Sequence, residues 1–472
     1  MRRLVLLSIA ALLVAGCGSQ GKQAAVTTTA PPAAPKANRP KRPKVSKQVE
    51  RALAAVQVTV IDGDTNLRVT GARVQIGPHA ARSDRHGVAL LRLRKRAPLV
   101  TVASKSGYGE RAVRLPFNTH PKSTIRVYRG ATQWTMYGAV PSRTQAQPSI
   151  TVRPPFRVVW SRGLDSLIEF PAVVADGVAY ISNAGGTVRA IDMRDGSVIW
   201  RHDTPNGKMA ASPAIVGDEL VVHGMDGHVW VLRRDDGRLL WRYTAGSPIE
   251  SSPVVVDGVD VFGSWSGRIT ALDLRRHRVR WVRYDGCKIT SSAAISGGTL
   301  YIGDYCGRLL ALNPSNGALR WSQSVNGRIY GTPAVAAGRV FVPSSDGGSL
   351  TAFSTSGRYL WRRYTGSYVY SSPAVSDGRV FFGSYNGVFY AVRASDGATL
   401  WERSTGGPIS GAAVVVGGVA YAGSFAHRIL GVNVRSGRVM LDFPHGEYVP
   451  ISGAGRRLLL HGYSRLYAVV HR

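Results

Sequence analysis

The sequence predicts an all-β protein, an eight-bladed β-propeller preceded by a small β-sandwich, on three observations. A tryptophan recurs every 40 or 41 residues from Trp160 to Trp401. Asp-Gly and Asn-Gly pairs punctuate those intervals at matching places. Upstream, runs of alternating β-branched residues stand between polar turns. Each pattern implies short antiparallel strands joined by tight hairpins.

The chain has 472 residues, 44% hydrophobic and 19% charged. That profile belongs to a globular protein of two or three domains, not to a disordered or collagenous chain. Its three cysteines exclude a disulfide framework and a cysteine-rich metal site. There are 60 Lys and Arg against 28 Asp and Glu, a net charge of +32. Residues 1–130 hold 24 of the cations and 5 of the acids, so the excess is densest there. Such a balance speaks to partners rather than to fold. It is suited to anionic envelope polymers or lipid headgroups; the alternative is a surface that is only solubilising.

The N-terminus reads as an address. Met1-Arg2-Arg3 is basic, residues 4–14 are apolar, and small residues lead to Cys17. This is the pattern of a signal peptide, placed over residues 1–16. The apolar run is too short to span a bilayer. Leu13-Val14-Ala15-Gly16-Cys17 resembles the lipobox of bacterial lipoproteins. The resemblance implies an exported protein with diacylglycerol on Cys17, held at the membrane surface by its lipid chains; the other reading is an ordinary signal peptide with a chance cysteine. Residues 17–51 are rich in Pro, Ala and bases. Such sequence builds no core and is read as a disordered tether, either lying on anionic polymer or simply solvated.

Residues 52–130 carry the sandwich expectation. Val56, Val58 and Val60 alternate with polar residues before the turn Asp62-Gly63. Ala72-Arg73-Val74-Gln75-Ile76 repeats the alternation, and the turn Ser83-Asp84-Arg85-His86-Gly87 leads into residues 88–93. Residues 100–103 and 125–128 supply two further strands. Gly71-Ala72 with Val74, Asp84 with Gly87, and Gly107-Tyr108 follow in an order that resembles the carboxypeptidase regulatory-like family. That resemblance implies an accessory module without catalytic groups, and no cluster of His and carboxylates stands in the segment.

Residues 131–472 carry the repeat. Trp160, Trp200, Trp241, Trp281, Trp321, Trp361 and Trp401 mark it, with Met440 in the next place. Most units open on a step such as Ser252-Pro253, then show three turns, for example Asp257-Gly258, Ser266-Gly267 and Asp236-Gly237 in their respective units. The fourth strand is expected to end at the Trp. Four short strands per 40 residues make a propeller blade, with the Trp docked between neighbours. The last unit, residues 457–470, stops at third-strand sequence, whereas residues 156–160 form a fourth strand without its first three. Joined, they complete an eighth blade and remove the open edges.

The Ala271-Leu272-Asp273 step, the hairpin Gly and the terminal Trp resemble the pyrroloquinoline-quinone-like propeller repeat. Trp134-Thr135-Met136-Tyr137-Gly138 and Arg143-Thr144 are similar to the lead-in segment of that family. The family holds quinone-dependent dehydrogenases and non-catalytic scaffolds. The whole also resembles the propeller lipoproteins of the outer-membrane β-barrel assembly complex, apart from the sandwich, the basic tether and the charge.

A dehydrogenase would need a funnel-bound quinone, a Ca²⁺ with several oxygen ligands and a carboxylate base. Glu169 and Glu250 are expected to start inner strands and face the funnel. The matching positions Thr290, Tyr330, Tyr370 and Ser410 supply no Ca²⁺ set. No nucleophile elbow, zinc-protease or phosphate-loop motif is present in the sequence. The expectation is therefore a binding protein with no catalytic residue, metal or cofactor. Three features could carry binding. Trp265, Tyr305, Tyr385, Phe425 and Tyr463 recur at the second turns of their units and suit a peptide or a sugar; packing between hairpins is the alternative. Cys287 and Cys306 fall at one end of one blade and favour a disulfide over two free thiols. The partner expected is an envelope protein or, as the basic surface suggests, an anionic polysaccharide, with no nucleic acid and a monomeric chain. The rival functions are a quinone-dependent oxidoreductase and a carbohydrate-binding sensor.

Overall fold

The computed structural model describes residues 54–93, 98–205 and 207–472. Cys17, the signal peptide and the tether lie outside the described residues. Strands and turns account for almost all of what is described, and no helix there is long and apolar enough to cross a membrane.

The N-terminal part is built from two sheets. Strand Ala54–Asp62 pairs antiparallel with Val88–Leu93 and parallel with Lys122–Val127. The second sheet runs His79–Arg82, Arg73–Ile76, Pro98–Ser104, Arg111–Pro116. Alternation delivers the core between them: Val56, Val58, Val60, Val74, Leu91, Ile125 and Val127 all point inward. Two strands were not anticipated, His79–Arg82 and Arg111–Pro116. Both are edges of the second sheet and bury little, so they carry no clear apolar alternation.

Eight sheets follow among the described residues, and adjacent first strands touch around a common axis. Seven are continuous: 173–203, 214–244, 254–284, 294–324, 334–364, 374–404 and 414–444. The eighth takes Gly446–Ala454, Arg457–Gly462 and Arg465–His471 from the C-terminus, and its outermost strand, Phe156–Gly163, from far upstream. Arg465 pairs with Gly163 and His471 with Phe156. The ring is thus closed by backbone hydrogen bonds between chain segments some 300 residues apart, which complete the eighth blade.

Each blade reads the same way radially. First strands line the hub, three residues long in the seven continuous blades and nine in the eighth; second and third strands are buried on both faces, and fourth strands form the exposed outer edge. The fourth strands do not stop at the tryptophan, as the sequence had suggested. Val198–Asp203 and Arg278–Tyr284 run three residues beyond Trp200 and Trp281. Polar residues alternate there because one face of the outermost strand meets water.

The tryptophans join neighbouring blades. In six of the seven the indole Nε1 donates to a carbonyl of the next blade, at 2.7–3.4 Å. The ring lies against the third-turn glycine of that blade. A Cβ at Gly237 would stand 2.5 Å from Trp200, and at Gly397 2.6 Å from Trp361, both at positive φ. Only glycine satisfies both demands. Blade 254–284 differs: His277 takes the glycine's place and stacks flat on Trp241, centroids 4.9 Å apart.

The lead-in segment 134–147 closes one end of the hub. Its carbonyls accept from the central N–H of six first strands, from Val174 to Trp134 through Val415 to Gln145, at 2.7–2.9 Å. Arg143, fully buried, donates to Ala293 O at 2.9 Å, Pro253 O at 2.7 Å, Ser252 O at 3.1 Å and the Tyr137 carbonyl. Burial pushes its guanidinium down to about 10.

Candidate functional site

The opposite end of the hub opens as a funnel, and Tyr137 rises from the lead-in to form part of its floor, its hydroxyl donating to Ser372 Oγ at 3.1 Å. Aromatic rings circle the mouth. Tyr305 stacks on Tyr330 at 6.4 Å, Tyr330 meets Tyr370 edge-on at 5.4 Å, and Tyr370 lies 4.9 Å from Tyr385. Tyr385 contacts Phe425 at 5.9 Å and Phe425 contacts Tyr448 at 5.4 Å. Tyr368 packs on both Tyr370 and Tyr385. Edge-to-face contacts of this kind hold rings rigidly while leaving part of each surface open.

Two strand-end devices place these rings. Second turns carry Trp265, Tyr305, Tyr385 and Phe425; the loops just before first strands carry Tyr330 and Tyr370, and Tyr448 stands near the start of the long first strand Gly446–Ala454. A backbone bond ties the two loop types together in successive blades: Trp265 N to Pro248 O, Tyr305 N to Lys288 O, Tyr385 N to Tyr368 O, Phe425 N to Pro408 O. The structure brings four of the five turn aromatics to the rim. Tyr463, 52% exposed, shares the turn position but stands outside the chain of ring contacts. The sequence pattern does not single out Tyr368 or Tyr448, and it marks Tyr330 and Tyr370 only as poor Ca²⁺ ligands. A signal existed: Thr290, Tyr330, Tyr370 and Ser410 occupy one register at 40-residue spacing.

Glu250 sits at the centre of the polar part of the mouth. Trp265 Nε1 donates to its Oε2 at 3.0 Å and Tyr330 Oη to its Oε1 at 2.5 Å. Burial, followed by the Glu250 charge, raises the Tyr330 phenol well above its ordinary value, so it stays a donor. Glu169 is also pushed up, first by burial and then by Glu250. Both acids lie in loops four residues before their first strands, rather than in the strands themselves. Lys288 Nζ lies 3.4 Å from the Trp265 centroid and 4.7 Å from that of Tyr305, a cation between two rings.

Cys287 and Cys306 are bonded, Cα to Cα 6.0 Å. They flank Lys288 and Tyr305, so the bond pins that side of the rim. Beneath it, Arg308 spans Asp285 and Asp304 at 2.9 Å each. Burial, then hydrogen bonding to Asp304, raises Asp285 to about 7.

The funnel does not fit a Ca²⁺–quinone pair. Calcium takes six to eight oxygens, several of them carboxylate. Both Glu250 oxygens already accept hydrogen bonds, and among the described residues no three His, Cys, Asp or Glu converge as a metal site. The space at the neck is about 40 Å³, room for a few waters.

Comparison with known proteins gives a consistent fold. Residues 122–284 and 285–469 each match the sequence profile of the family described as outer membrane protein assembly factor BamB. BamB of Bordetella pertussis is 30% identical over 90 residues, 19% of this chain and 23% of that protein. BamB of Pseudomonas aeruginosa is 32% identical over 88 residues, 18% and 22% respectively. The matched segment thus spans less than a quarter of these curated relatives. Among solved structures, BamB from Moraxella catarrhalis superposes with a TM-score of 0.57 at 20% identity, over 67% of this chain and 98% of that one. A quinohemoprotein alcohol dehydrogenase from Comamonas testosteroni gives 0.64 at 14% identity, over 72% and 80%. At these identities the likeness establishes the propeller fold alone.

Proposed function

The chain belongs to the family described as outer membrane protein assembly factor BamB, and from that premise we propose that it is a non-catalytic binding scaffold for a protein partner at the cell envelope. In this reading residues 1–16 export it, Cys17 carries the lipid, the tether gives reach, and the regulatory-like sandwich is an accessory. The observation that carries the reading is the rim: rings from Tyr305 to Tyr448, locked against one another, beside the Glu250 carboxylate already engaged by Trp265 and Tyr330. Rigid aromatic surface with polar tips suits a protein segment, because little side-chain entropy is lost on binding. The relatives' name, an assembly factor, is in keeping with a protein partner.

The rim also offers tyrosine hydroxyls beside flat faces, which favours a glycan as the second reading. One experiment separates them. The intact protein and its Tyr385→Ala/Phe425→Ala variant are cross-linked to isolated envelope, with and without salt. A protein captured by the wild type, retained in salt and lost by the variant is the expected result. Capture that ignores the variant sinks the rim as the site; capture of polysaccharide in its place selects the glycan. Tight binding of added quinone and Ca²⁺ with dye reduction would instead make the protein an oxidoreductase.

A further inference from the structure

The two-sheet part meets the propeller on the lead-in side, away from the aromatic rim. Tyr128 is the wedge between them. A Cβ on Gly63, from the two-sheet part, would come 2.2 Å from its ring; a Cβ on Gly177, from the first blade, would come 2.2 Å from its hydroxyl. The ring therefore fills a slot that glycine leaves on each side. Around it the two parts stand off and leave a cleft of two adjoining spaces, about 750 Å³ and about 230 Å³, which share Asn66, Arg126, Tyr128 and Arg194 in their walls. The larger is of a size that holds ligands in other proteins.

The cleft walls are basic, and the charge is not cancelled. Asp176 is already engaged by Arg111 at 3.4 Å and Arg234 at 3.0 Å, and Asp192 by Arg194 at 2.6 Å. Arg68, Arg126 and Arg456 form no ion pair among the described residues. Arg126 touches only the neutral Asn66, at 2.6 Å. Arg457 donates to the Met193 carbonyl, while its Nε is buried with no partner. Arg68 lines the larger space, Arg456 the smaller, and Arg126 both, so the free guanidiniums run along the cleft instead of meeting at one point. The one acid left over, Asp64, is raised by burial to about 6, stays mostly ionised at neutral pH, and offsets part of the charge at the Arg456 end.

We propose that this cleft binds a linear polyanion, its repeating negative charge carried on phosphate or carboxylate groups, with Arg68, Arg126 and Arg456 as the contacts. Guanidinium presents paired N–H donors that match the oxygens of either group. A spaced row of them favours a chain of anions over a single ion. The site is separate from the rim, so a protein partner and a polyanion can be held at once.

The test uses the full-length protein, labelled polyphosphate and oligogalacturonate of matched length, and dissociation constants at low and moderate salt. Arg68→Ala/Arg126→Ala/Arg456→Ala is compared with Arg358→Ala/Arg435→Ala/Arg438→Ala, an equal loss of charge on the outer propeller. The cleft triple is expected to bind about tenfold more weakly or worse, with a flatter salt dependence, and the outer triple close to wild type. The polymer bound more tightly identifies the anionic group. Thr124→Glu adds a carboxylate to an exposed cleft wall and is expected to weaken binding in the same direction without disturbing the fold. Equal weakening by both triples would assign the affinity to general surface charge or the tether and overturn the proposal, as would failure of the wild type to bind either polymer.

Discussion

The two ends of the hub are made from the same eight first strands and end in opposite chemistry. At the lead-in end the strands' N–H groups are taken by carbonyls of residues 134–147, and Arg143 binds four more carbonyls from within. At the mouth no such segment crosses among the described residues, and the loops carry half-exposed rings. One end spends its polar groups on the fold. The other keeps side chains available, held in place by each other. The difference teaches where stability and binding are divided in a closed ring: backbone bonding seals, and aromatic contact positions.

Substitutions should separate the two ends. Arg143→Met leaves the carbonyls of Tyr137, Ser252, Pro253 and Ala293 buried without a donor. It should cost about 4 kcal/mol in chemical denaturation while the proposed binding at the rim is unchanged. A loss under about 1 kcal/mol would mean that waters replace the guanidinium and that the sealed end is not where stability resides. At the mouth, Cys287→Ala/Cys306→Ala opens a loop of 19 residues and should cost about 3 kcal/mol. Partner binding should weaken as well, because Lys288 and Tyr305 lose their staple.

A titration sharpens the comparison at the closing blade. His461 accepts from Ala172 N–H at 3.1 Å and is fully enclosed, and burial holds its pKa near 4 against an ordinary 6.5. Between those values the unfolded chain binds a proton that the native imidazole refuses. Stability should therefore fall as pH drops from 6.5 towards 4, by up to about 3 kcal/mol. In His461→Gln that part of the pH profile should be flat, measured by thermal melts across the window. The smallest effect belongs to the rim. Tyr385→Ala removes ring contacts at 4.9 and 5.9 Å and should cost only about 1 kcal/mol, while abolishing binding that the rim supports. A large loss of stability there would make the rings a structural girdle.

The blades were legible because every part of the signal is local. A positive-φ glycine, a third-strand step and a tryptophan recur within 40 residues, and each has a mechanical reason to stand where it does. The second-turn aromatics were readable for the same cause. Tyr368 and Tyr448 were not, since their meaning depends on neighbours in other blades. His79–Arg82 and Arg111–Pro116 escaped because edge strands bury too little to impose alternation.

By itself the sequence determined the repeat, the hairpins, the closure of Phe156–Gly163 on Arg465–His471 and the pairing of inward valines in the first domain, all governed by periodicity and turn chemistry. Tertiary structure alone decided that Arg143 would be a buried bolt, that Glu250 would be occupied by Trp265 and Tyr330, and that Tyr128 would hold a basic cleft open. Those outcomes join residues from different blades or from the two-sheet part and the propeller, and no local pattern encodes a contact made only when the ring closes.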